Sequence, residues 1–179
     1  MFSPWPALPP LTTYAWGFGV ALLLPQLFLP ATMRNYWARV LKHHNVPIGA
    51  SGIDLDYLPA VVGVLERILY VIAILAEAPE FIGVWLAIKT AGSWKGWSEG
   101  RDYPSGDGTE KKIVIPGRQE FNLFLVGSAV SAICGVAGGY TIKWLFLGSM
   151  YHPTLVTVAI AIGGFMLYLA AKYLPLSST

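Results

Sequence analysis

The chain has 179 residues, 55% of them hydrophobic and 12% charged, with a mean hydropathy of +0.55. Soluble domains carry about twice that charged fraction. Twelve basic against ten acidic residues leave a net +2, too little to suggest a nucleic-acid partner, and the one cysteine, Cys134, excludes an intrachain disulfide.

The first residues, MFSPWPALPPL, have no basic n-region and no small-residue cleavage site, so they do not read as a signal peptide. Four prolines and Trp5 predict a stiff extended arm at the membrane interface. An apolar stretch over 11–33 carries Tyr14 and Trp16 near one end and stops at Arg34. Pro25 and Pro30 inside it predict a kinked span, which membrane helices tolerate because neighbours satisfy the freed carbonyls. RNYWARVLKHHN, 34–45, mixes basic with aromatic residues and opens an interfacial segment, 34–57, as a short amphipathic helix along the headgroups. Asp54 and Asp56 would cap the helix that follows.

The apolar run over 58–91 exceeds one simple crossing. It reads either as one helix with a protruding start or as a pair, 58–76 and 79–92, broken at Pro79. The spacing of Arg67 and Lys89 frames about 30 Å of apolar helix, so a single span over 66–90 is expected. The segment 91–119 is a polar loop with a strand-like run, Ile113–Ile115, and a hairpin turn signal at Asp107-Gly108. Two more spans are expected over 121–147 and 154–174, with Trp144, Tyr151, Tyr168 and Tyr173 near their ends. The predicted fold is thus all-α: a single membrane domain of four transmembrane helices plus an interfacial helix. With four crossings, seven Lys/Arg share a side with the polar loop and five lie opposite, which turns both termini to the cytoplasm.

Three carboxylates carry the chemistry. At about 100° per residue, Glu77 lies about 20° round a continuous helix from Glu66, and Glu80 about 40° to the other side. A lipid-facing acid costs roughly 2.5–3.5 kcal/mol, so this stripe should face other helices or a cavity, or pair with Arg67, Lys89 or Arg118. Gly127, Ser131, Gly135 and Gly139 recur every four residues, a small-residue ridge that lets another helix approach closely. His43, His44 and His152 lack an acid or cysteine at ligand spacing, so no metal site is expected and no cofactor can be named. No nucleophile elbow, P-loop or dinucleotide fingerprint occurs.

The run LERILYVIAILAEAPEFIGVWLAIK, followed by GRQEFNLFLVGSAVSAICGVAGG, resembles a pattern in small bacterial integral membrane proteins of no established activity. The resemblance covers about 65–140. It implies roles for Glu66, Arg67, Glu80, Lys89, Arg118, Gly127 and Ser131 and a place in a bacterial inner membrane. Two functions are then expected. The first is a non-enzymatic accessory subunit, docked through the ridge onto other membrane-protein subunits of a larger assembly, for example a respiratory or photosynthetic one. The alternative is a small oligomeric transporter or a proton- or cation-conducting protein that uses intramembrane glutamates.

Overall fold

The computed structural model describes residues 10–46, 57–99, 101–104 and 112–174. Residues 1–9 of the proline arm, Asp54, Asp56 and the Asp107-Gly108 turn lie outside the described residues, whereas Pro10 and Leu11, also expected in the arm, already belong to a helix. Helix α1 (Pro10–Phe18) passes through a π-helical turn (Gly19–Leu23) into α2 (Leu24–His43). Then come α3 (Tyr57–Leu75), α4 (Glu80–Glu99), strands β1 (Arg101–Pro104) and β2 (Lys112–Ile115), α5 (Gly117–Phe146) and α6 (Tyr151–Tyr173). Three helical stretches, Leu11–His43, Gly117–Phe146 and Tyr151–Tyr173, are long and apolar enough to cross a membrane.

Where a kink was expected in the first span, a π turn precedes Pro25. Pro25 has no N–H to give, and its ring would crowd the carbonyl of Ala21 in a regular helix. The wider turn relieves that crowding, and Leu24 N–H reaches back to Gly19 O. The helix then continues through Pro30 to His43, where a separate interfacial helix was expected from Arg34 onward. Nothing between Met33 and His43 breaks a helix, and α2 is held at its far end by packing. Val40, Leu41 and Val46 bury against Ile115 of β2, and Tyr36 donates to Gln119 of α5 at 3.0 Å. The strand pair is antiparallel, with Asp102 opposite Val114.

The single crossing over 66–90 does not form. Helix α3 ends in a Schellman motif in which Ala78 N–H bonds Ala73 O at 2.9 Å and Glu77 N–H bonds Ile74 O at 3.3 Å. Glu77 takes the left-handed position, φ 59, and Pro79 follows two residues on. A proline both lacks the donor and pushes the preceding residue out of the helical region, so the break beats the pull of a continuous apolar run. The same motif ends α2 at Asn45 (φ 55) and α5 at Gly148 (φ 75).

Contacts fix the direction of each helix. Along α3 and α5 the partners rise together: Gly63 meets Ser131, Tyr70 meets Gly135, Ile74 meets Gly139 and Glu77 meets Lys143. These two helices are therefore parallel. Helix α4 doubles back, with Trp85 and Lys89 against Glu66. Helix α1 opposes α5 through Tyr14 on Phe146 and Gly17 on Gly138. Helix α6 runs with α1 and α2, as Trp16 meets Thr157 and Phe28 meets Gly164. Among the described residues the chain forms five helical rods of alternating direction, so residues 10 and 174 lie at opposite ends, and not on one side as four crossings would require.

The rods sort the charges. Arg34, Arg39, Lys42, Lys95, Arg101, Lys112, Arg118 and Lys172 all fall at the hairpin end. At the other end Lys143 is the single Lys or Arg among the described residues, and Arg67 and Lys89 lie between. The count of seven against five made on four crossings gives way to a pronounced skew, because splitting 58–91 brings the first and third loops to the same end.

Candidate functional site: an ion pair inside the helix bundle

Three pairs of residues, each one helical turn apart, converge between α3, α4 and α5. Residues four apart lie on the same helix face. Glu66 and Tyr70 share a face of α3, Trp85 and Lys89 a face of α4, and Phe124 and Ser128 a face of α5. Glu66, only 2% exposed, places Oε1 2.6 Å from Lys89 Nζ and accepts a hydrogen bond from Trp85 Nε1 at 3.2 Å. Lys89 Nζ also donates to Ser128 Oγ at 3.1 Å and sits 4.9 Å from the centre of the Phe124 ring. Glu66 is nine residues from either end of α3, about 14 Å, and Lys89 is placed almost the same way on α4.

Glu66 is buried and Lys89 is 23% exposed; withdrawing such ions from water costs up to several kcal/mol each, which their attraction offsets only with good geometry and further hydrogen bonds. This site supplies both. The carboxylate has a cation and an indole N–H, and the ammonium has a carboxylate, a hydroxyl and an aromatic face.

Two polar groups beside the pair are unmatched. Arg67, 2% exposed, donates from Nε to Gly63 O at 2.7 Å, but its Nη1 has no hydrogen-bond partner among the described residues. The hydroxyl of Tyr70, fully buried, has none either.

The site residues expected from sequence divide. Glu66, Arg67 and Lys89 come together in the interior. Glu77 and Glu80 do not join them, because the stripe required an unbroken helix. Glu77 is 83% exposed on the turn after α3 and pairs with Lys143 at 3.4 Å, and Glu80 is exposed in the first turn of α4. An acid there complements the positive end of the helix. Arg118 is exposed in the first turn of α5, ten residues or about 15 Å from Ser128.

The ridge on α5 is filled from within the chain. A Cβ on Gly135 would lie 2.6 Å from Tyr70 Cβ, and one on Gly139 2.6 Å from Ile74 Cβ. Ser131 is buried opposite Gly63, whereas Gly127 has nothing within 4 Å of a Cβ position. Gly138, outside the four-residue series, meets Gly17 and Ala21 of α1. Sequence reasoning missed Trp85, Ser128, Phe124 and Gly63 as site residues. The spacing of Trp85 to Lys89 was the one available signal.

The histidines stay apart from the ion pair. His43 and His44 meet edge to face at 5.2 Å, and burial, then the neighbouring His43, holds the His44 imidazole below its ordinary value. His152 packs on Trp144 and bonds Ser149 Oγ. Among the described residues no three candidate ligands cluster for a metal. Comparison of the chain with family models, with curated proteins and with solved structures gave no match in any of the three.

Proposed function

We propose that this is a multi-pass membrane protein of five crossings that moves protons or a small solute through its bundle, with Glu66 as the protonatable group. One observation carries the reading: among the described residues, Glu66 is the one acid well inside a helix, buried halfway along the rods and held by Trp85 and Lys89 of α4, and Lys89 is in turn bonded to Ser128 of α5. Ionisable groups at that depth mark transport pathways or proton relays in membrane proteins. Helices α3 and α4, of 19 and 20 residues, are each about as long as a bilayer's hydrocarbon is thick and run alongside the three more apolar stretches. The skew of Lys and Arg turns the hairpin end to the cytoplasm and the start of α1 to the opposite side. A role as a docked accessory subunit is less economical, because Gly135, Ser131 and Gly139 are spent on α3 of the same chain.

The test is reconstitution of the purified protein into liposomes loaded with a pH-sensitive dye, under a potassium diffusion potential. Wild-type vesicles should change internal pH faster than protein-free ones, and Glu66→Gln should return the rate to the protein-free value. Wild-type vesicles as tight as empty ones would remove the reading and restore the accessory role.

A further inference from the structure

The cations at the hairpin end are unevenly matched. Helix α2 and its neighbour α6 carry no Asp or Glu, yet the end of α2 holds Arg39 and Lys42 and the end of α6 holds Lys172. Among the described residues none of the three pairs with a carboxylate. Lys172 Nζ lies over the rings of Tyr173 and Tyr168, at 5.1 and 5.9 Å. The Nε of Arg39 is shielded from solvent and has no hydrogen-bond partner.

One contact places them. Phe28 of α2 meets Gly164 of α6, and the two helices run the same way. Helix α6 ends nine residues after Gly164 and α2 fifteen after Phe28, so α2 overruns α6 by about six residues, about 9 Å. Arg39 lies about 20° and Lys42 about 40° round α2 from Phe28, which puts both on the side that packs on α6. The other side, with Val40 and Leu41, packs on β2. Side chains on a helix lean toward its N-terminus, which carries both cations back over the end of α6. The C-terminal ends of α2 and α6 supply about half a negative charge each, against three full positive ones. An excess of about two remains.

We propose that Arg39, Lys42 and Lys172 hold the phosphate of an anionic phospholipid at the cytoplasmic end of the α2–α6 seam. A phosphodiester supplies the acceptors that a guanidinium fork matches, and Lys42 and Lys172 are exposed to meet it as point charges. Basic pockets between membrane helices on this side take such head groups. Below the cations, exposed Ile162, Phe165 and Met166 of α6 give acyl chains an apolar wall. The inference rests on the membrane-embedded reading and its orientation, and not on proton movement through Glu66.

Native mass spectrometry of the full-length protein tests it, from neutral-detergent micelles holding equal amounts of dioleoyl phosphatidylglycerol and dioleoyl phosphatidylcholine. Wild type should retain about one phosphatidylglycerol per chain in clear preference. Arg39→Gln and Lys42→Gln should each lower that preference about fivefold, the effect of one basic residue at an anionic surface. Arg39→Lys, which keeps the charge, should retain most of it. Arg34, also exposed but about 120° round α2 from Phe28, serves as the control, and Arg34→Gln should leave the preference unchanged. No preference in wild type, or equal losses in the Arg34 and Arg39 variants, overturns the proposal. Displacement of the lipid by millimolar inorganic phosphate also overturns it, in favour of a soluble phosphate. Lipid preference without vesicle proton flux upholds the lipid site and defeats the proton pathway, and flux without preference does the reverse.

Discussion

Removing Lys89 separates the ion pair from ordinary packing. In Lys89→Met the aliphatic stem is kept, but the Glu66 carboxylate, 2% exposed, loses the ammonium 2.6 Å away and retains only the Trp85 N–H. Stranding one member of a buried pair costs about 3–5 kcal/mol. For a chain of this size that is a fall of about 10 °C in unfolding midpoint. Adding Glu66→Gln should restore most of it, because the amide still accepts from Trp85 and neither member of the pair is left charged without the other. The two changes together should therefore be milder than Lys89→Met alone, with a coupling of at least about 2 kcal/mol. Tryptophan fluorescence during thermal unfolding in one detergent, at fixed pH and salt, measures all four proteins. Additive losses, or a Lys89→Met protein within about 1 kcal/mol of wild type, would show that the pair does not hold α4 to α3 and would refute the reasoning.

Other outcomes follow from particular contacts. Gly138→Ala forces a Cβ to 2.6 Å from Gly17 O and 2.7 Å from Ala21 Cβ, so it should lose about 1–3 kcal/mol in the same melts. Gly163→Ala meets nothing within 4 Å and should gain up to about 1 kcal/mol from helix propensity. Glu77→Gly should raise the midpoint, because relief of a left-handed φ is worth about 1–2 kcal/mol and the exposed pair with Lys143 less; a lower midpoint would show that the ion pair governs the turn. In sealed cells, with Cys134 replaced by serine, an impermeant maleimide should label Tyr151→Cys from outside and Asp102→Cys only after lysis. The opposite pattern would invert the proposed orientation.

The helical, membrane-length character of the chain was legible because apolar runs of that length have few other uses. The ends of the last two spans fell within a few residues of α5 and α6 for the same reason. The break at Pro79 was visible as an alternative, but the Arg67 to Lys89 spacing argued against it, and that spacing has a different origin. The two cations face the interior of neighbouring rods and mark no interface. Pairing between Glu66 and Lys89 needs α4 folded back on α3, which local periodicity does not encode. The ridge was legible as a surface of close approach, whereas its partner was not, since small residues admit any helix backbone equally. Gly138, one residue off the series, shows the limit: α5 has two close-packed faces, toward α3 and toward α1, and a single repeat captures one.

The π turn at Gly19–Leu23 has an effect far beyond its five residues. One extra residue in a turn rotates everything after it by about 100° relative to a regular helix. Gly17 before the turn and Ala21 within it look at α5; downstream, Phe28 looks at Gly164 of α6. The long first rod is thereby a dial with two settings, and deleting one residue from the wide turn would swing Phe28 off its glycine and strand α6.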